Sequence, residues 1–280
     1  LPTEPAGLHN VCRLSDNIIS GSEPETEEAL RVLSAMGVKT ILSVDGKAPD
    51  HIGAARLGMR YVHVPIRYRG ISETELLSIA KTFYELEGPF YVHCFHGVHR
   101  GPAAAAVGRV VLDGVPREQA IAEMRQWCGT SSKYEGLYGT IAFGDIPGTA
   151  TASAFDFDFP AEHRFAGLRQ AMIELARSWD VIAALSKRDW KPMADHPDAN
   201  ARNEAAKLVF AFSQMHGFDE ELLAEGDFRR WLDASGRDAA ELEQLLEGFE
   251  KGDEAAGELA VEVARRVKQS CTDCHAAYRN

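Results

Sequence analysis

Phe90-Tyr91-Val92-His93, Cys94 and Phe95-His96-Gly97-Val98-His99-Arg100 form one continuous stretch that fits the pattern H-C-x5-R. An apolar, β-prone run leads in, Gly97 permits a tight turn, and a small-residue stretch from Gly101 to Leu112 reads as a closely packed helix. Strand, turn and helix in that order aim a ring of backbone N–H groups and a helix N-terminus at a single anion. The same setting is expected to lower the Cys94 pKa and make the thiolate a nucleophile. Arg100 supplies a planar fork for two phosphoryl oxygens. His93, Phe95, His96, Gly97, Val98 and His99 are then the candidate substrate-binding residues. His96 and His99 either add positive charge for a highly anionic substrate, with His99 a possible proton donor, or serve the structure alone. A buried structural thiol is the other reading of Cys94.

The pattern continues on either side of this stretch. Asn17–Gly21, Lys39–Val44 and Arg60–Val64 read as further strands, and Thr26–Met36 and Ser72–Leu86 as helices. The second helix opens on the capping box Ser72-Glu73-Thr74-Glu75, and Pro116 starts another at its first position. Such alternation predicts an α/β domain over residues 1–147, with a central, mostly parallel sheet and flanking helices. From residue 148 to 160 the chain turns small, polar and Pro/Gly-containing, and reads as a linker.

Residues 161–280 lose the β signal and take up helical spacing. Phe165, Leu168, Met172, Leu175, Trp179 and Ile182 mark one helix; Ala205, Leu208, Phe212 and Met215 a second. Leu242, Leu245, Leu246 and Phe249 mark a third, after an irregular turn near Gly236. Leu259, Val263, Val267, Cys271 and His275 stand four apart on the last and are expected to share a face. The prediction is an all-α, antiparallel four-helix bundle. Its last helix carries Cys271-Thr272-Asp273-Cys274-His275, the C-x-x-C-H pattern of c-type haem attachment. Cysteines at i and i+3 project to one side, where thioethers can fix the two haem vinyls and His275 can bind the iron. A thioredoxin-type pair would want a βαβ setting and a zinc site further Cys or His nearby.

With these residues in view, two resemblances stand out. The Cys94 loop, together with Asn10–Asn17 and Gly37–Val44, resembles the dual-specificity branch of the protein tyrosine phosphatases over about residues 8–143. That resemblance implies in-line attack by Cys94 on phosphorus, a cysteinyl-phosphate, and binding of the transferring group by Arg100. Two positions depart from the family. Gly101 stands where Ser or Thr is usual, and the loop Pro65-Ile66-Arg67-Tyr68-Arg69-Gly70-Ile71-Ser72 lacks the general-acid Asp. Asp45 is the substitute candidate, as a catalytic acid or as a simple turn former, with Asp50 behind it. Arg67 and Arg69 either line the pocket mouth or are solvated. The C-terminal half resembles cytochrome c′ over about residues 160–280, by its C-x-x-C-H near the end and by Tyr278-Arg279 after it. This resemblance implies one covalent haem c with His275 as axial ligand and Arg169, Met172, Ile173 and Arg279 around it. It further implies a crowded distal side suited to NO or CO, a possible homodimer, and a periplasmic or otherwise exported protein. Met172 is a core residue or a sixth ligand.

A net charge of −12 falls as −3 on residues 1–150 and −9 on residues 151–280, which argues against nucleic acid and anionic membranes as partners. No apolar run is long enough to span a bilayer. The absence of a starting Met reads as removal of a signal peptide. Five cysteines, with Cys12 and Cys128 left over, make no disulfide framework. The leading expectation is an exported cysteine-dependent phosphatase coupled to a haem domain sensing redox state or NO. The alternatives are a gas-binding or electron-transfer cytochrome with an anion-binding module, and a rhodanese-like persulfide carrier.

Overall fold

A computed structural model of the chain describes residues 2–163, 167–191, 200–217 and 226–278. The chain divides into two compact units, Leu1–Arg164 and Phe165–Asn280.

The first unit is built on five strands: β1 (Cys12–Arg13), β2 (Ile18–Gly21), β3 (Thr40–Ser43), β4 (Arg60–His63) and β5 (Phe90–His93). Their order is β1-β2-β5-β3-β4, with only β1 antiparallel to its neighbour. Alternation along the strands sorts side chains onto two faces. Ile19, Ile41, Tyr61 and Tyr91 pack against Leu30, Leu33 and Ala54, which belong to helices α1 (Glu27–Ala35) and α2 (His51–Arg56). Ile18, Leu42, Val62 and Val92 pack against Ile79, Phe83 and the Ala103–Val107 run, carried by α3 (Glu73–Glu85) and α4 (Arg100–Val111). The register aligns Gly21, His93, Ser43 and His63 in one row at the carboxyl ends of the parallel strands. Ligands of open α/β sheets bind just beyond such a row.

The capping box at Ser72 and Glu75 is present, and Pro116 precedes α5 (Arg117–Ala122) as its cap rather than opening it. A π-helical turn, Glu123–Trp127, extends α5, and buried Arg109 of α4 holds its Glu123 at 2.7 Å. Next come α6 (Glu135–Phe143) and α7 (Thr149–Ala154).

The expected linker at 148–160 is therefore corrected. Six of its residues form α7, the carbonyl groups of Ser153 and Phe155 accept from Lys81 Nζ, and Phe157 and Phe159 pack against the sheet core. Small residues permitted a helix, and the two aromatic rings supplied the burial that fixes the segment.

The described elements of the second unit are helices: α8 (Gly167–Ser186), α9 (Ala201–Met215), α10 (Gly226–Glu250) and α11 (Glu254–Tyr278). Ala205, Leu208, Phe212, Leu232, Leu242 and Val263 are among their shared buried residues. Of the expected stripe, Phe165 lies outside the described residues. No turn interrupts α10 at Gly236; a glycine costs a helix only about 1 kcal/mol, which the buried face from Phe228 to Leu246 outweighs. Leu259 is 58% exposed while Val263 and Val267 are buried. Each step of four residues rotates about 40° beyond a full turn, so five such positions cannot share one face.

Candidate active site

Cys94 follows the last residue of β5 and is buried at the head of the loop that ends at Arg100, the first residue of α4. Scaffold donors fix the direction of the loop's peptides. The carbonyls of Phe95, His96 and Val98 accept from Glu23 N (3.1 Å), Asn10 Nδ2 (2.9 Å) and Thr130 Oγ1 (2.6 Å). In a trans peptide the following N–H points the opposite way. The N–H groups of His96, Gly97 and His99 are thus turned away from the scaffold. His99, the residue before α4, makes no side-chain capping bond, leaving the helix's first N–H groups open to an anion.

Gly97 is demanded twice. Its φ is +73°, and a Cβ there would lie 2.2 Å from the Gly21 carbonyl carbon and 2.4 Å from Ser22 N. The loop is seated directly on the end of β2. Gly101 is also tightly placed, since a Cβ would stand 3.1 Å from Cys94 N.

The Arg100 side chain is 11% exposed and donates from Nη2 to Asp45 Oδ1 at 2.5 Å. Its Nε is a buried donor with no hydrogen-bond partner. Burial alone would lower the guanidinium pKa, but Asp45, Tyr68 and Cys94 more than offset this and raise it. The Tyr68 ring centre lies 4.5 Å from the guanidinium carbon. Tyr68 stacks on Tyr134 at 4.9 Å, and His99 meets Tyr134 at 4.4 Å, so three rings wall the site beside Arg100. Burial, then the low His96 and Arg100 tolerance for a second cation, keep the His99 pKa below its ordinary value, against the pull of the Val98 carbonyl.

The structure brings Cys94, Arg100, Asp45, Gly97 and His99 together and moves other expectations. Asp45 is an acceptor rather than a poised acid: Oδ1 receives Arg100, Oδ2 receives Lys47 N at 3.3 Å, and its carbonyl lies 2.9 Å from His63 Nε2. A carboxylate engaged by a buried guanidinium orients that guanidinium. Asp50 caps α2 through Gly53 N and takes no part. His93, expected at the substrate, is 1% exposed and faces the Tyr61 hydroxyl at 2.7 Å, behind the loop. Its position in the strand row turns its ring into the core. Phe95 and His96 lie ring to ring at 4.4 Å, His96 exposed. Arg67 and Arg69 are exposed on either side of Tyr68. Tyr68 and Tyr134 carry no sequence signal of their own: the loop at 65–72 stands out only for lacking a carboxylate, and Tyr134 has no motif around it. Cys12 and Cys128 are buried in the same core cluster, with Cys12 Sγ 3.2 Å from the Trp127 carbonyl. The contact with Cys128 lowers the Cys12 pKa, while that contact and burial raise the Cys128 pKa.

The second unit has its own cavity, of about 250 Å³. Met172, Leu175 and Trp179 of α8, Phe212 of α9, Phe228, Trp231 and Leu232 of α10, and Cys271, Cys274 and His275 of α11 line it. Both thiols are unpaired by any disulfide, and burial pushes the Cys271 pKa up to about 11. Arg169 and Ile173, expected beside a haem, do not line the cavity, and Arg279 lies outside the described residues. Among the described residues there is no group of three or more His, Cys, Asp or Glu side chains placed to hold a metal ion on their own. None of the described helices is long and apolar enough to cross a membrane.

No protein-family profile matches the chain. Over 191 residues it is 27% identical to the dual specificity protein phosphatase TpbA of Pseudomonas aeruginosa (strain UCBPP-PA14), covering 67% of this chain and 78% of that one. The crystal structure of P. aeruginosa TpbA matches 54% of this chain and 97% of its own, at 24% identity and a TM-score of 0.43. A variant of TpbA in complex with phosphotyrosine matches similarly, at 23% identity, 54% and 96% coverage and a TM-score of 0.43.

Proposed function

We propose that the first unit hydrolyses phosphate monoesters through Cys94, and that the second unit carries a covalent haem. The observation behind the first statement is the buried, partnerless Nε of Arg100 at the mouth of a loop whose peptide N–H groups are turned the same way. A buried donor left unmade costs roughly 1–3 kcal/mol, and an oxyanion at Cys94 would satisfy it. The similarity to a dual specificity phosphatase supports the same reading.

In the proposed reaction a phosphate monoester docks with its non-bridging oxygens on the loop N–H groups and Arg100. Cys94 Sγ attacks phosphorus, the ester P–O bond breaks, and its electron pair leaves with the alcohol or phenol oxygen. Water then attacks the cysteinyl-phosphate, the P–S bond breaks, and inorganic phosphate departs. Asp45 holds Arg100 throughout. With no carboxylate in the 65–72 loop, substrates whose leaving groups need little protonation, aryl phosphates such as phosphotyrosine, are favoured.

The cavity lining fits a haem: its walls are mostly apolar, with Ser235, Lys268 and Thr272 among the polar exceptions, and Cys271, Cys274 and His275 all open onto it. Cys271 and Cys274 are the residues to hold such a group and His275 the one to bind its iron. When bound, the group supplies one-electron exchange and a site for a diatomic ligand such as NO or CO. The described helices α8 to α11 all contribute to this cavity, which supports a cytochrome c′-like bundle; an exported location and a phosphatase activity tuned by the haem unit go with that reading.

Aryl-phosphate hydrolysis by the haem-loaded chain, in ferric, ferrous and NO-bound states, with Cys94→Ser as control, tests both parts. Turnover that requires Cys94 and changes with haem state is the expected result. Turnover indifferent to haem state removes the coupling, and no turnover in any state leaves the first unit an anion-binding module.

A further inference from the structure

We infer that His63 is a positioning residue that ties the chain segment Pro160–His163 to Arg100. The inference rests on the reading of Cys94 and Arg100 as the anion site. His63 ends β4, the outermost strand of the sheet, and is 1% exposed. Its backbone N–H donates to the Pro160 carbonyl at 2.8 Å. Its ring has two contacts, both to backbone. Nδ1 faces His163 N at 2.8 Å, and Nε2 faces the Asp45 carbonyl at 2.9 Å. A peptide N–H only donates and a carbonyl only accepts, so the partners fix the tautomer. Nδ1 accepts, Nε2 carries the hydrogen and donates, and the ring is neutral with both nitrogens used. From Asp45 the chain runs on through Oδ1 to Arg100 Nη2 at 2.5 Å. Three consecutive contacts thus join the last described stretch of the first unit to the arginine that receives the phosphoryl group.

A buried histidine with two satisfied nitrogens could be mere packing. What distinguishes this one is that its partners are a strand-end turn bearing the arginine's counter-ion and a segment outside the sheet. Protonation would place an N–H at Nδ1 against the N–H of His163, replacing a hydrogen bond by repulsion. The charged and titratable groups around the ring are Asp45 from the β3 end, His93 from β5, and Glu162 and His163 from the segment itself. Burial dominates among them and favours the neutral form. Lowering the pH therefore releases His163 from the ring, and Asp45, still bonded to Nε2–H, loses the support of the Pro160–His163 segment behind it, while the neutral ring holds both.

The test is tungstate binding to the full chain by calorimetry from pH 8 to 5, alongside aryl-phosphate kcat/KM. Tungstate reports on the arginine site without requiring turnover. In His63→Phe, which keeps a flat ring and loses both bonds, tungstate affinity is expected to fall about tenfold at pH 8 and to lose its decline at low pH. His163→Ala removes the imidazole and keeps the backbone N–H, while His163→Pro removes both; relative to His163→Ala, the proline variant is expected to move both readouts in the same direction by a smaller factor. If His63→Phe does not fold, His163→Pro decides. Wild-type affinity with an unchanged pH profile in the folded variants overturns the inference. Tungstate binding that behaves as expected in a chain with no phosphatase turnover overturns the catalytic reading alone.

Discussion

Acid sensitivity of the first unit is expected to trace chiefly to His93. The ring is buried at the end of β5, with Nε2 on the Tyr61 hydroxyl and Nδ1 without a partner. Burial pushes its pKa from 6.5 down to about 4, against the opposing pull of Glu23 and Asp45. A histidine held neutral by the fold takes up its proton more readily when unfolded. Its contribution is intact above pH 6.5, is lost as pH falls from 6.5 towards 4, and is constant below. The full difference is about 3 kcal/mol, and about 2 kcal/mol of it is lost between pH 7 and pH 5. Hydrogen exchange at the β5 amides of Tyr91 and Val92 measures the opening free energy of this sheet within the intact chain. Measured at both pH values, the wild-type chain should lose about 2 kcal/mol more than His93→Gln, whose amide cannot titrate. His63, also held below its ordinary pKa by burial, is present in both chains, so most of its own contribution cancels. Equal losses in the two proteins would refute the assignment.

Other consequences are as direct. Asp45→Asn breaks a buried ion pair and should destabilise the first unit by about 3 kcal/mol, by urea unfolding. It should also lower kcat/KM by a similar factor for all leaving groups, whereas loss of an acid would grow with leaving-group basicity. Gly97→Ala, forced into a left-handed φ and against Gly21 and Ser22, should abolish tungstate binding while the second unit's helical circular dichroism persists. For the second unit, expression in a host equipped for c-type haem ligation should give a chain whose mass includes one haem. Cys271→Ser with Cys274→Ser should return the mass of the apoprotein.

Much of the first unit was readable because its signals are local. Phe90–His93, the Gly97 turn and the Ser72 capping box each specify geometry within a few residues, and all three are found. What escaped depends on contacts far apart in sequence. Asp45 looks like an acid or a turn former until Arg100, 55 residues away, is seen to occupy it. Tyr68 and Tyr134 form a wall only because α6 is brought to the 65–72 loop, where Thr140 Oγ1 accepts from Ile71 N. The supposed linker reads as small and polar, and the two phenylalanines that anchor it carry no turn or helix signal of their own. In the second unit, periodicity located the helices, while a spacing of four carried too far misplaced Leu259. The haem-type motif was plain, but the ring of Met172, Trp179, Phe212 and Trp231 around it emerges only when four helices are assembled.

The central claim is that Cys94 forms a phosphorylated intermediate. Rapid acid quench of the full chain during turnover of a radiolabelled aryl phosphate, followed by peptide mapping, tests it directly. Label on the peptide containing Cys94, lost on Cys94→Ser, is the result expected. Undiminished turnover by Cys94→Ser, or turnover with no label at Cys94 under any quench condition, would contradict it.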